Sequence, residues 1–261
     1  MRSFEGVPIL AWILMALVAV SCSPSASSRS AGENLTVAAA ADLQFAFTEI
    51  GRRFEEETGA QVTFVFGSSG NLARQIENGA PVDLFASADE EYVRQLAARG
   101  AVVPDTTRLF ALGRLALVYF KGSDLRLNGL EDLSRAEVTR LALANPDHAP
   151  YGRAAREALT AAGLWDRVKP KVVYGENVRQ ALQFVETGNA DAGIVALSIV
   201  EGQGVGSVAI DESLYQPLRQ SMAVVKGSRH DRLARDFAAF VNGPIGSPIM
   251  KRYGFTLPGE K

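Results

Sequence analysis

The sequence predicts an α/β fold in which helices cover a parallel or mixed sheet. Short apolar runs alternate with longer segments of helical periodicity almost from end to end. Glycine-bearing turns separate the two kinds of segment. At one junction, Phe66 to Ile76, a β-rich run passes into a helical pattern with only a small Gly-Ser-Ser-Gly turn between them.

Leu35-Thr36-Val37-Ala38-Ala39-Ala40 is a buried strand, apolar at nearly every position. Residues 42–57 carry Leu43, Phe45, Ala46, Phe47, Ile50 and Phe54 at helical spacing, and Gly59 closes that helix. Val62 to Phe66 is a strand, and a helix over 71–77 follows the Ser-Gly turn. Then come the strand Val82 to Ala86 and a helix over 89–98 closed by Gly100. Residues 115–120 and 141–144 are strands. Tyr151-Gly152 opens a helix that runs to Ala162, and Val172-Val173-Tyr174 is a short strand. Asn177 caps a helix from Val178 to Glu186. Residues 192–195 and 222–225 are strands, and helices over 231–241 and 247–252 close the chain.

The ends and the composition bound the setting. Residues 1–21 read as a lipoprotein signal peptide: Arg2, then an apolar run from Val7 to Val20. That run is shorter than the roughly 20 apolar residues a spanning helix needs, but suits a signal core. Cys22 is the only cysteine and follows Ala19-Val20-Ser21, a context similar to the acylated cysteine of bacterial lipoproteins. The alternative is an ordinary secretory signal that contains a cysteine. Residues 22–33 form a spacer, flexible by its Ser-rich composition. Stable attachment takes more than one acyl chain, which lipoprotein processing supplies. The expected location is extracytoplasmic, in the periplasm or on the outer face of the cytoplasmic membrane, with Cys22 as lipid anchor. Net charge is −2 and the chain has no basic stripe, so nucleic acid is not an expected partner. About 230 residues follow the spacer. They suffice for one large α/β domain or for two lobes of about 100 residues each.

Three strand-to-helix junctions look alike: Ala41-Asp42, Gly67-Ser68-Ser69-Gly70 and Glu176-Asn177-Val178. Ala149-Pro150-Tyr151-Gly152 is a fourth candidate, with a phenol at a helix start. Each offers unpaired backbone N–H groups and the positive end of a helix dipole, which hold an anion without lysine or arginine. Taken singly, each also reads as a plain turn or cap. If they converge, they form a cage of neutral donors that holds a small dianion by charge-assisted hydrogen bonds.

A resemblance covers nearly all of the mature chain. Ala39 to Leu43, the highly specific block Gly67 to Asp89, Ala144 to Gly152, Glu176 to Arg179 and the ending Lys251-Arg252-Tyr253-Gly254-Phe255 resemble the periplasmic molybdate-binding proteins of ABC importers. The resemblance implies a two-lobed periplasmic-binding-protein fold of type II. Each lobe would be a mixed sheet flanked by helices, with the ligand in the cleft between them. It implies lobe I from residues 34–112 and 223–261, and lobe II from residues 113–222. It also implies oxyanion donors at Asp42, Ser69, Tyr151 and the backbone N–H of Val178. Some relatives have a small residue where Tyr151 stands and a tyrosine where Ala196 stands; this chain has the reverse. The implied activity is capture of molybdate, and of tungstate, by a monomer that delivers it to ABC permease subunits. The resemblance implies no cofactor, no metal beyond the oxyanion and no enzymatic activity.

Asp42 departs from the pattern, because many relatives have serine there. A carboxylate repels a dianion, and three readings stay open. Asp42 turns away and caps its own helix, leaving only backbone N–H to the ligand. Or it is protonated and donates. Or the ligand is another tetrahedral oxyanion such as hydrogen phosphate, whose O–H bonds the carboxylate.

Rival classes draw little from the residues. The Ser68-Ser69 turn lacks the Gly-x-Ser-x-Gly nucleophile elbow, since residue 71 is asparagine. His148 and His230 have no metal spacing; His148 reads as an exposed loop residue, with the cleft rim as the alternative. Asp83, Asp89 and Asp191 read as caps and loop residues. An enzyme on the same two-lobed fold remains the alternative from another class, since fold does not settle function.

Overall fold

The computed structural model describes residues 32–260. The expected signal peptide, Cys22 and most of the expected spacer lie outside the described residues. The chain runs through β1 (Asn34–Ala40), a 3-10 turn (Ala41–Leu43), α1 (Gln44–Thr58), β2 (Gln61–Gly67) and α2 (Ser69–Glu77). It continues with β3 (Leu84–Ser87), α3 (Glu90–Ala98), β4 (Arg108–Gly113), β5 (Leu115–Phe120) and β6 (Leu141–Ala144). Then follow α4 (Pro150–Ala161), α5 (Trp165–Val168), β7 (Val172–Gly175), α6 (Val178–Glu186) and β8 (Ala192–Ala196). A 3-10 turn (Leu197–Ile199), β9 (Val205–Ala209), β10 (Leu218–Val224), α7 (Asp231–Val241) and α8 (Gly246–Arg252) complete it.

The strands form two mixed five-stranded sheets, ordered β2-β1-β3-β10-β4 and β7-β6-β8-β5-β9. In the first sheet β1, β2 and β3 are parallel, and β10 runs antiparallel to both β3 and β4. In the second, β6, β7 and β8 are parallel and β5 is antiparallel to β8 and β9. The chain passes between the sheets twice, at Arg114 and between Ala209 and Leu218. The sequence reading returns the chain to the first lobe at residue 223. Hydrogen bonding of β10 with β4 instead begins at Leu218, so Gln220 and Ser221 stand inside the first sheet.

Alternation along the central strands explains their near-continuous apolarity. Leu35, Val37 and Ala39 of β1 enter one core, while Ala38 faces the other with Leu72, Ile76, Phe85 and Leu96. A strand covered by helices on both faces has no position left for a polar side chain. Two strands lack such a signal. β9 is Val-Gly-Ser-Val-Ala at a sheet edge with Ser207 and Ala209 exposed, and β4 runs into β5 with only Arg114 between them. Neither is anticipated from periodicity.

The C-terminal helix α7 is integral to the first layer. Phe237 is fully buried, with ring centroids 5.9 Å from Phe47 and 5.3 Å from Phe54, both edge-on. Edge-to-face pairs add to the area term. Phe237→Ala is therefore expected to lower unfolding free energy by about 3–5 kcal/mol in urea titration. A loss under about 1 kcal/mol would show that α7 is peripheral to the core.

Candidate functional site

The carboxyl ends of β1, β2, β6 and β7 meet between the two sheets, and each leads into a helical segment, from β6 through the short loop 145–149. That is where open α/β sheets bind ligands. A small cleft of about 10 Å³ lies there, lined by Ala40, Asp42, Ser68, Ser69, Tyr151 and Val178 among others. All four expected oxyanion donors thus line one cavity, although they come from segments far apart in sequence. Among the described residues no lysine, arginine or histidine lines it.

Each helix start is built locally. Ser68 is extended (φ −74°, ψ 142°) at the N-cap of α2, so Ser69 is the first helical residue, two earlier than periodicity suggests. Ser69 is fully buried, and its Oγ accepts from the Ala88 N–H at 3.0 Å. The Ser69 hydroxyl proton is thereby left to point elsewhere. Pro150 occupies the first turn of α4, where its missing N–H costs nothing. Tyr151 follows it and is 2% exposed. Asn177 Oδ1 accepts from the N–H groups of Arg179 (3.0 Å) and Gln180 (3.1 Å). The Val178 N–H, ahead of these in the first turn, has no acceptor within its own helix.

Asp42 is 1% exposed and does not cap its own helix; the N-cap of that turn is Ala40, with no side-chain cap bond. The capping reading is corrected here. Asp42 Oδ2 accepts from Gln220 Nε2 at 2.5 Å, and the same amide nitrogen is 3.2 Å from the Tyr151 hydroxyl. Gln220, on β10, is buried between the two. Sequence reasoning missed it because it lies ahead of the apolar run 222–225 and reads there as loop. Burial pushes Asp42 up to about 6, against the lowering effect of the Gln220 amide and the nearby Tyr151 hydroxyl. Burial first, and the Asp42 charge second, push the Tyr151 phenol well above its ordinary range. Gly113, at the first crossing between sheets, leaves room for this cluster. A Cβ there would lie 2.1 Å from the Tyr151 hydroxyl and 2.8 Å from Gln220 Nε2.

The lobes touch across the cleft. The Gly70 N–H donates to the His148 carbonyl at 2.9 Å, and Ser68 Oγ lies 2.9 Å from His148 Nδ1. Ser198 Oγ donates to the Asp42 carbonyl at 2.8 Å, and Arg153 pairs with Asp89. His148 is therefore a rim residue and not a free loop histidine; burial, with Arg74 nearby, holds its pKa below the usual value. The other candidates keep structural roles. Asp89 caps α3 through the Glu91 N–H (2.9 Å), and Asp191 accepts from Thr139 and Arg140. Asp83 lies in a larger hollow at the opposite end of the first sheet. It accepts from the Thr36 N–H at 2.8 Å and Ser228 Oγ at 2.6 Å, which staples the 228–230 loop to β1. Among the described residues no group of three His, Cys, Asp or Glu side chains could hold a metal ion. Nor is any described helix long and apolar enough to cross a membrane.

The architecture is thus that of a two-lobed binder with a small inter-lobe cleft. The sequence model of the family described as bacterial extracellular solute-binding protein matches residues 35–256, and the chain belongs to that family. It is 34% identical over 227 residues to the molybdate-binding protein ModA of Rhodobacter capsulatus, covering 87% of this chain and 89% of that protein. It is 34% identical over 248 residues to a putative ABC transporter substrate-binding lipoprotein of Bacillus subtilis, covering 92% and 94%. Its fold superposes on the periplasmic molybdate-binding protein of Azotobacter vinelandii with a TM-score of 0.81 and 30% identity, covering 86% of this chain and 99% of that one.

A buried carboxyl with a raised pKa makes stability depend on pH. Below the unfolded value of 3.8 the group is protonated in both states and costs nothing. Between 3.8 and about 6 only the unfolded chain ionises, so stability falls as pH rises and then levels off. Asp42→Asn keeps an acceptor for Gln220 and removes the titration. It should raise stability at pH 8 by on the order of 2–3 kcal/mol and leave it unchanged near pH 3.5. Denaturant titrations at both pH values read this, and equal effects at both would refute it.

Proposed function

We propose that this protein is an extracytoplasmic solute-binding protein that captures molybdate, and also tungstate, in the inter-lobe cleft. The observation that carries this reading is the meeting of four helix starts around one cavity that, among the described residues, has no basic side chain. Ser69 Oγ, the Tyr151 hydroxyl and the backbone N–H groups at Asp42 and Val178 are the proposed donors. Molybdate at neutral pH is a tetrahedral dianion with four acceptor oxygens and no proton. Donors of fixed geometry select it by size and charge state, which a mobile lysine does not. The molybdate-binding names of the Rhodobacter and Azotobacter relatives support the choice of ligand.

A guest held by donors from both lobes stabilises their closed arrangement over an open one. Residues 34–112 with the C-terminal segment form one closing body and the intervening chain the other. We further propose that the closed monomer delivers its ion to ABC permease subunits and is held at the membrane through Cys22. The ABC-transporter lipoprotein name of the Bacillus relative supports that part. The cleft offers hydrogen-bond donors and no acid–base pair aimed at a bound guest, so the reading is of a binder and not an enzyme. A second reading, another tetrahedral oxyanion such as hydrogen phosphate, is favoured by one feature, the carboxyl of Asp42 in the cavity wall.

Calorimetry with molybdate, tungstate, sulfate and phosphate separates these readings. Micromolar or tighter binding of the first two, with no heat from the others, is expected. Tight phosphate binding alone would replace the proposal by the second reading. Ser69→Ala should weaken molybdate binding by roughly 1–3 kcal/mol, the scale of one charge-assisted bond. An unchanged affinity would remove Ser69 from the site.

A further inference from the structure

Among the described residues Asp42 is the only acidic one lining the cleft. Its two carboxyl oxygens have different fates. Oδ2 accepts the Gln220 amide at 2.5 Å, while Oδ1 is buried with no hydrogen-bond partner. An ionised oxygen in that position is both desolvated and unpaired, and beside an anion it is also repelled. As an O–H, the same atom becomes one more neutral donor, of the same kind as the Ser69 and Tyr151 hydroxyls around the cleft. Gln220 holds the other oxygen, so the carboxyl has one side committed and one side free.

We propose that Asp42 carries a proton on Oδ1 whenever an anion occupies the cleft and donates it to an anion oxygen, so that near neutral pH one proton is taken up with each anion captured. This inference rests on the reading of the cleft as a molybdate site. It makes Asp42 a ligand-contacting donor and Gln220 a positioning residue.

The groups around Asp42 favour the proton. From β10 it meets the neutral Gln220, and from α4 the phenol of Tyr151 with Tyr215 behind it. From the 197–199 turn comes the Ser198 hydroxyl, which is committed to the Asp42 carbonyl. The cation of α6 is Arg179, whose guanidinium pairs with Glu186 at 2.8 Å and lies 5.9 Å from the Phe45 ring centroid. His148 is engaged with Ser68 at the rim, and Arg153 with Asp89. Among the described residues, each of these basic groups is already engaged and none of them is left to hold the carboxylate ionised. Burial already brings Asp42 to about 6, and a dianion within hydrogen-bond reach raises it further. The linkage has a definite sign. Affinity is greatest below about pH 6 and falls as pH rises, by about tenfold per unit until the value in the complex is passed.

Isothermal titration of the purified protein with sodium molybdate, in buffers of differing ionisation enthalpy, counts the protons directly. At pH 7.5 uptake close to one proton per molybdate is expected, with affinity about tenfold weaker at pH 8 than at pH 7. Asp42→Asn, whose amide donates but does not titrate, should bind with no proton uptake and with an affinity flat between pH 7 and 8. Molybdate binding by the unaltered protein without proton uptake overturns the inference and leaves the functional reading standing. Persistent uptake in Asp42→Asn also overturns it, by assigning the proton to another group. No molybdate binding at any pH overturns the functional reading and takes this inference with it.

Discussion

The first turn of a helix leaves N–H groups that nothing in the same helix can satisfy, and this fold directs four such starts to one place. The parallel strands β1, β2, β6 and β7 all end at the gap between the two sheets, and each delivers its helix there. Parallel pairing thus sets the electrostatics of the cleft. Partial positive charge gathers from backbone dipoles, not from side chains, so the pocket presents a positive potential without a mobile cation. Much of the surrounding sequence follows from that arrangement. The segments that turn into the cleft carry Gly67, Ser68 and Ser69 in one lobe and Asn177 and Val178 in the other, residues small enough for backbone to approach a guest closely.

Against those neutral dipoles stands one carboxyl, that of Asp42. Asp42, Gln220 and Tyr151 form a buried cluster drawn from the first turn after β1, from β10 and from α4. Since β10 belongs to the first sheet and α4 to the second layer, the cluster joins the lobes from behind the cleft. It sits next to the first chain crossing, where Gly113 admits the Tyr151 hydroxyl. A carboxyl held there at about 6 is uncomfortable in the folded protein at neutral pH. Strain of this kind persists where the rest of the fold over-determines the position, and it concentrates at functional sites.

Most of the secondary structure is legible in the sequence because the buried strands and amphipathic helices carry opposite periodicities. Leu35 to Ala40 is apolar because both faces of β1 are covered, and α1 shows its stripe because only one face is. β4 and β9 escape notice for equally physical reasons. No turn residue separates β4 from the strand that follows, and β9 at its edge needs few apolar side chains. The misplaced start of β10 has the largest consequence. Arg219-Gln220-Ser221 looks like loop, and yet Gln220 and Ser221 are buried there.

By itself the sequence determined the alternation of strands and helices, the hydroxyl-rich and capped helix starts, and the absence of a basic stripe, because these depend on near neighbours in the chain. Tertiary structure alone decided that the helix starts share a cavity, that Asp42 faces Gln220 instead of its own helix, and that His148 closes on Ser68. Those pairings join residues such as 42 and 220 whose separation in sequence is 178. Local propensity carries no information about a contact at that range; it exists only once two sheets have been assembled and the chain has crossed between them twice.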